Sequence, residues 1–177
     1  MTAQSLHEIE PTNQVLAMYT LHCTQKLIDR VKQAPVSALP APTTTLGNWY
    51  AHALFWTPQV ALLVNERTLL PVLMPLAPAA TLASRFPTHL AVVLRGLGVN
   101  TQVIASEVEA MSEAVVARTA SRSVVGTMNE FAFLADGYRE YLESPDLLAL
   151  SIKLADTPCG PLKGNSPGRV LREVVAG

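Results

Sequence analysis

The spacing of the hydrophobic residues changes near residue 79. Before it, apolar runs of strand length alternate with turn sequences, and beyond it apolar residues recur every three or four positions, as on one helix face. The early runs predict four strands, over residues 18–24, 49–56, 60–65 and 69–76. Short turns between the last three predict an antiparallel meander. Because Pro71 and Pro75 cannot donate ladder hydrogen bonds, its last strand either lies at a sheet edge or breaks off early.

The helical spacing predicts a series of helices. One lies early, over residues 25–33, with Thr24 as its cap. Another begins at residue 79 and ends before Gly98, and Pro87 either kinks it or starts a second helix. Further helices are predicted over residues 101–118, 127–143, 145–155 and 167–175. The alternating leucines of residues 145–155 also suit a strand, but a helix beginning near Asp146 is favoured.

Together these elements predict an α+β fold, with an early antiparallel sheet of about four strands packed against four to six helices. A length of 177 residues suits one domain, and the pattern places this domain over residues 18–177. Residues 1–17 are expected to be a poorly ordered extension. Residues 34–47 are rich in proline and small polar residues and are predicted to form a loop.

Charge and composition indicate which classes of protein the chain is not expected to belong to. The net charge is −1 and the isoelectric point is near 6.4, so the chain has no overall field for nucleic acid or an anionic membrane. The charge-free apolar run of residues 68–84 holds three prolines and is not expected to span a membrane. The N-terminus lacks the pattern of a signal peptide. Because two cysteines are too few for a disulfide framework, we expect a cytoplasmic protein with reduced thiols.

The sequence contains no strong metal, nucleotide or cofactor motif, and no metal or cofactor is expected. His22 and His52 could face each other across adjacent strands, but a metal would need a further ligand. Cys159 lies in a turn without an identifiable base, so an inert thiol is favoured. Three glutamates are expected on an exposed helix face without a geometry for acid–base chemistry: Glu107, Glu109 and Glu113.

The segment RTASRSVVGTMNEFAF, residues 118–133, carries the richest candidate chemistry. It is typical of the end of one helix, a polar turn and the start of another helix. Thr127 and Glu130 match a capping box. The alternative to a ligand site here is that Arg122 pairs with a carboxylate such as Glu130 while the serines only close the turn. Since free amides at a helix N-terminus favour an anion, the candidate ligand-binding residues are Arg118, Arg122, Ser123 and Asn129.

A second candidate cluster consists of Asn48, Trp49, Tyr50 and His52 together with residues 65–67, and its candidate ligand-binding residues are Trp49, Asn65 and Arg67. In a meander, the end of one strand and the turn beyond the next strand can lie together. An indole beside an amide and a guanidinium would suit a planar or anionic ligand. The alternative is that the aromatic residues fill the core and residues 65–67 form a solvated turn.

Five stretches resemble, in their order, a bacterial protein family that is classed only as a domain of unknown function: MYTLHCTQKLIDR, LGNWYAHALFW, VNERTLLPVL, SRSVVGTMNEFAF and LADTPCGPL. The resemblance covers Met18 to about Leu162, and Ser121 stands where the family pattern favours asparagine. It implies a bacterial origin and a single domain. It also implies that residues 1–17 are an upstream extension or a mis-set start. The family supplies no catalytic or binding residue.

Three functions remain open. The favoured one is a small binding or regulatory module that recognises an anionic small molecule or a protein partner. The first alternative is a metal-independent hydrolase or transferase acting on a phosphate- or nucleotide-like group, with His52 as base and Arg122, Asn129, Asn65 and Arg67 holding charge. The second is nucleic-acid binding, which the net charge disfavours, through Lys153, Lys163, Arg169 and Arg172.

Overall fold

A computed structural model describes residues 16–143 and 146–177. Residues 1–15 of the expected extension and the first residue of the helix predicted from 145 lie outside the described residues. The strands are β1 (Met18–Cys23), β2 (Trp49–Leu54), β3 (Val60–Asn65), β4 (Pro71–Pro75) and β5 (Glu113–Arg118). The helices are α1 (Gln25–Val31), α2 (Leu82–Gly96), α3 (Thr101–Glu109), α4 (Arg122–Arg139), α5 (Leu147–Ala155) and α6 (Pro167–Ala176).

The five strands form one mixed sheet in the order β4-β3-β2-β1-β5. The antiparallel meander of β2, β3 and β4 is confirmed. However, β1 pairs in parallel with both β2 and β5, so the expectation of an antiparallel sheet of about four strands is corrected. The parallel pairs arise because long connections return the chain to the same end of the sheet before β2 and β5 begin. The α+β class itself is confirmed.

Residues 101–118 form a helix and a strand, which corrects the prediction of one long helix. α3 ends at Glu109 and β5 begins at Glu113. The turn between them is fixed by the Ser112 hydroxyl and the Glu113 amide, which both donate to the Ala17 carbonyl at 2.9 Å. Pairing with β1 along all six residues of β5 then outweighs the local helical spacing. The prediction that Glu107 lies on an exposed helix face is also wrong, because its side chain is only 3% exposed.

α4 begins at Arg122 rather than at Thr127, so the predicted capping box is wrong. Ser121 is the N-cap, and its hydroxyl accepts a hydrogen bond from the Val124 amide at 3.3 Å. Thr127 lies inside the helix and donates to the Ser123 carbonyl at 3.2 Å. Serine is as good a cap as threonine, and the earlier start adds the buried Val124 to the apolar stripe of the helix.

The other helix predictions agree with the structure. α2 continues through Pro87 and is followed by Gly98 with a φ of 79°. Asp146 caps α5 by accepting from the Ala149 amide at 3.1 Å, and α6 begins at Pro167. No helix within the described residues has the length and apolar character needed to cross a bilayer.

Each face of the sheet has its own hydrophobic core. One face packs against α1, α2, α3 and α6 and the other against α4, while α5 contributes residues to both cores. β1 alternates between them as predicted, with Tyr19, Leu21 and Cys23 in the first core. His22 therefore lies on the α4 side, where it stacks on Tyr50 of β2. Cys23 and Cys159 are free thiols in different cores.

The edge strand β4 presents no free outward amide. The Leu73 amide, which points away from β3, donates to the buried Ser151 hydroxyl of α5 at 2.8 Å. Because amide directions alternate along a strand, positions 71 and 75 also face outward. Both are proline, which has no amide hydrogen to offer. α5 and the two prolines together protect this edge from pairing with another chain.

Candidate functional site

The connection between β5 and α4 lies at the carboxyl ends of the parallel strands β1 and β5. Arg118 is the last residue of β5, and Arg122 is the first of α4. Cys23, the last residue of β1, pairs with Arg118, so both strands end together. In sheets with parallel strands, this edge is where ligands usually bind, because helix N-termini and loops meet there.

The first turn of α4 has two amides without acceptors. The Ser121 amide donates to the Tyr50 hydroxyl at 3.0 Å, and the Val124 amide is capped by Ser121. The amides of Arg122 and Ser123 donate to no group in the described part of the chain. They lie at the positive end of an 18-residue helix, where an anion is stabilised.

Two arginines flank this turn. The Arg118 guanidinium donates to the Gln25 side-chain oxygen at the start of α1. Arg122 is exposed, and no carboxylate among residues 16–143 and 146–177 lies within ion-pair distance of it. The pairing of Arg122 with Glu130 that the sequence left open is therefore not formed. Ser123 is exposed in the same turn.

Two neighbouring hollows share Thr119 and Ala120 of the connection. The first, named here the His22 hollow, has a volume of about 270 Å³. It is bordered by His22, by Arg118 and by residues 35–37 and Leu39 of the loop after α1. The second, the Arg122 hollow, has a volume of about 490 Å³ and is lined by the α4 residues Arg122, Val125, Gly126 and Asn129.

His22 is only 4% exposed, and its ring is held in one orientation. Its Nδ1 lies 2.8 Å from the Arg118 carbonyl oxygen. Since a carbonyl only accepts, Nδ1 must carry the hydrogen, which leaves the neutral ring with a lone pair on Nε2. The Tyr50 ring stacks on the imidazole with centroids 4.5 Å apart and fixes its plane. Tyr50 thus supports both His22 and the Ser121 amide.

The second ring nitrogen of His22 is Nε2. It forms no hydrogen bond within the described residues, whose side-chain hydrogen bonds at His22 involve Nδ1 alone. The buried side-chain atoms there that lack a partner are Thr20 Oγ1 and Trp49 Nε1. Nε2 is not one of them, and His22 is among the residues that border the His22 hollow. It is a nearly buried polar group with a free acceptor.

The second predicted cluster does not join this site. Asn65 is fully buried, where its amide donates to the Leu46 carbonyl at 2.9 Å and its oxygen accepts from the Thr68 amide at 2.8 Å. The Arg67 guanidinium donates to the Thr45 carbonyl at 3.1 Å. β3 lies three strand spacings from β5, which is about 14 Å. Asn65 and Arg67 hold the loop that precedes β2.

Trp49 pairs with Asn65 as predicted, but it is fully buried. Its ring meets Phe86 of α2 edge-on, with centroids 4.8 Å apart. Trp49 therefore offers no surface to a ligand, and the expected wall of indole, amide and guanidinium is corrected. Aromatic residues in the middle of a sheet fill the core because burial stabilises their large apolar area.

A third hollow of about 380 Å³ lies farther along α4 and is named the Phe133 hollow. Its rim carries the exposed rings of Phe55 and Phe133. His52 lines it and has Nδ1 3.1 Å from the Thr24 hydroxyl. Burial, and the nearby Lys26 ammonium, lower the pKa of His52. His22 and His52 do not face each other, since Tyr50 is the residue opposite His22.

Sequence reasoning placed Tyr50 in the second cluster and weighed His22 only with His52 as a metal pair, so it did not bring either residue to the connection between β5 and α4. The alternation in β1 already placed His22 on the polar face, so part of the signal was present. The missing information was the register of β1 against β2 and β5, which puts Tyr50 and Ala117 directly opposite His22. Within residues 16–143 and 146–177, no three His, Cys, Asp or Glu side chains come together in a way that could hold a metal ion.

A family model described as "Domain of unknown function (DUF6933)" matches residues 20–170, which include every residue named at this site. A comparison with curated proteins found no match, and neither did a comparison with solved structures.

Proposed function

The chain belongs to the DUF6933 family, a domain of unknown function, and we propose that it is a small binding module that recognises an anionic molecule. The ligand binds at the connection between β5 and α4. The observation that carries this proposal is the pair of free amides of Arg122 and Ser123 at the N-terminus of α4, which follows the carboxyl ends of β1 and β5 and carries the exposed Arg122.

Electrostatics and access both support this location. Arg122 and the helix N-terminus place positive charge beside a hollow that opens to solvent. Asn129 lies two turns along α4 from Arg122 and on the same side, so its amide can contact the remainder of a bound molecule. A regulatory role follows if the ligand changes how this surface meets a protein partner.

The alternative of a hydrolase or transferase is supported less well. It requires His52 as a base beside Asn65 and Arg67, and Asn65 is buried in hydrogen bonds to the backbone. The nucleic-acid alternative is also weaker. Lys153 lies over the Tyr138 ring at 4.2 Å, and the guanidinium of Arg169 lies 3.7 Å from the Glu173 carboxylate. Part of the C-terminal basic charge is thus already engaged.

We propose a cytoplasmic location for the protein. The free, buried state of its two cysteine thiols supports this location. Burial raises the pKa of Cys23 to about 12, and burial together with the Glu130 charge raises that of Cys159 to about 11. The thiols lie on opposite faces of the sheet and cannot form a disulfide with each other.

A thermal-shift screen with inorganic phosphate, nucleotides, phosphorylated metabolites and amino acids tests the binding function. An anion at about 100 times its Kd stabilises the fold by about 2.7 kcal/mol, which raises Tm measurably. We expect Arg122→Ala to keep its own Tm but to lose this response. The control Arg95→Ala removes an exposed arginine from α2 and should respond as the wild type does.

Two results would contradict the proposal. One is that no anion raises the Tm of the wild-type protein. The other is that Arg122→Ala and Arg118→Ala both respond as fully as Arg95→Ala. A loss of several kcal/mol of stability in Arg122→Ala without any ligand would assign that arginine a structural role instead.

A further inference from the structure

We propose that the Phe133 hollow is a docking surface for an acidic segment of a partner protein. An aromatic or large aliphatic side chain of that segment inserts between the rings of Phe55 and Phe133, while its carboxylates meet Lys26 and Arg30. Phe133 lies about 16 Å along α4 from Arg122 at the usual rise of an α-helix. This docking surface is therefore separate from the anion site proposed above.

Both exposed phenylalanines of the chain border this one hollow. Phe55, directly after β2, is 52% exposed, and Phe133 of α4 is 78% exposed. The other two of the four phenylalanines, Phe86 and Phe131, are at most 1% exposed. Phenylalanine is among the residues most often buried, and clustered apolar groups with a polar rim mark interaction sites. Two exposed rings at one hollow thus indicate a surface that another molecule covers.

The rim of the hollow at Phe55 carries positive charge. The Lys26 ammonium lies 5.5 Å from the centroid of the Phe55 ring, and the Arg30 guanidinium lies 5.6 Å from it. Both cations are exposed on α1, and among the described residues no carboxylate lies within ion-pair distance of either. Burial, and after it the Lys26 charge, lower the pKa of His52, so the field of Lys26 reaches a residue that lines the hollow. Free cations of this kind favour carboxylates on the partner.

The remaining charges near the hollow are already engaged. The Arg139 guanidinium donates to the Asp136 carboxylate at 2.8 Å and lies over the Trp56 ring, 4.4 Å from its centroid. On α1, the Asp29 carboxylate accepts from the side-chain amide of Gln25 at 2.8 Å. A complementary segment therefore carries an apolar side chain for the hollow and carboxylates for the rim, as at interfaces with an aromatic centre and a polar margin.

The shape and charge of the hollow favour a protein segment over two other occupants. A site for a small molecule encloses most of its ligand, whereas Phe55 and Phe133 are both more than half exposed. Exposed rings beside cations also suit single-stranded nucleic acid, whose bases stack on aromatic side chains. However, Asp136 lines the hollow and the net charge of the chain is −1, and both repel a phosphate backbone.

NMR titration of the ¹⁵N-labelled full chain with three capped heptapeptides tests the docking surface. The first peptide has three glutamates on each side of a phenylalanine, the second has alanine in place of the phenylalanine, and the third has lysines in place of the glutamates. The first should shift the signals of residues 52–56 and 132–139. Burial of its ring should make it bind about tenfold more tightly than the second, and the third should not bind.

Each other result of this titration would overturn the proposal. Equal binding of the first two peptides would mean that no side chain enters the hollow, and binding of the third would contradict the role of the cations. Shifts confined to residues 119–126 would place the peptide at the anion site instead. A single-stranded deoxythymidine decamer that binds more tightly than the first peptide would assign the surface to nucleic acid. A dimer of the free chain that Phe133→Ser abolishes would assign it to a second copy.

Two variants with matched controls locate the contact. Phe133→Ser should weaken binding of the first peptide about tenfold. Its control is Tyr141→Ser, which removes a ring that is 88% exposed and does not line the hollow. Lys26→Gln should also weaken binding, whereas Arg172→Gln, at an exposed residue of α6, should not. All four side chains are exposed, so the fold should be retained, which Tm verifies. Unchanged binding in both Phe133→Ser and Lys26→Gln would overturn the proposal.

Discussion

The carboxylate of Glu107 in α3 accepts a hydrogen bond from the backbone amide of Leu46 at 3.0 Å. Its other oxygen accepts from the Thr45 amide at 2.8 Å, although the side chain is only 3% exposed. Burial raises the pKa of this carboxyl, and the amides of Leu46 and Thr45 partly oppose that effect. Glu107 thus anchors the loop before β2 to an outer helix.

This anchor predicts a specific pH dependence. Because the folded pKa of Glu107 lies above the unfolded value, the ionised form weakens the fold relative to the protonated form. The stability of the wild type should therefore increase as pH falls through the folded pKa, and this gain is complete below about 4.3, the unfolded value. Glu107→Gln cannot titrate and should lack the gain. Urea unfolding across this range measures it, with the exposed Glu109→Gln as control. A constant stability difference between Glu107→Gln and the wild type would contradict the assignment.

Ser151→Ala should show how much the protected sheet edge contributes to the stability of the fold. The Ser151 hydroxyl is fully buried, donates to the Leu147 carbonyl at 2.7 Å and accepts from the Leu73 amide. Its removal leaves a buried amide without a partner, which costs about 1–3 kcal/mol. Urea unfolding gives the loss, and hydrogen exchange at the Leu73 amide should accelerate. The exposed Ser106→Ala in α3 serves as control. Equal stability of the two variants would mean that the edge amide is satisfied otherwise.

The sequence predicted those parts of the fold that are decided locally. The turns between β2, β3 and β4 and the prolines of β4 were sufficient for the meander and its edge, and Asp146 was sufficient for the start of α5. Residues 113–118 were missed because helical spacing continued through them, while the pairing that makes them a strand is with β1, almost a hundred residues earlier. Single-residue preferences do not encode that register.

The same limit applies to the site. Arg118, Arg122 and Asn129 were found because a helix start after a polar turn is a local pattern. Ser121 was not predicted as the cap because Thr127 and Glu130 match the capping pattern more fully, and several possible capping residues follow one another there. His22 and Tyr50 meet only through parallel pairing of β1 and β2. Trp49 was misplaced because its direction relative to the core depends on the packing of α2.

The buried position of Trp49 is open to a fluorescence test. The chain has two tryptophans, so Trp56→Phe leaves Trp49 as the single emitter. Since Trp49 is fully buried against Phe86, its emission should be blue-shifted and resist quenching by iodide. Saturating anion should not change it, because the binding site lies on the opposite face of the sheet. Quenching by iodide in the folded protein, or a response to bound anion, would return Trp49 to the list of ligand contacts.

Tyr50→Phe should remove the hydrogen bond that supports the connection between β5 and α4 and leave the rest of the fold intact. The phenyl ring can still stack on His22, so the imidazole keeps its plane. The Ser121 amide loses its acceptor, which costs about 1 kcal/mol in a half-buried position. Because this bond fixes the residue before Arg122, the free amides of the first turn lose their fixed direction, and anion affinity should fall while both arginines remain. Calorimetry gives the affinity, and hydrogen exchange at Ser121 reports the broken bond. Tyr141→Phe, at an exposed ring after α4, is the control. If Tyr50→Phe binds anions like this control although Ser121 exchanges faster, the ligand is held by the arginines alone and the helix N-terminus contributes no direct contact.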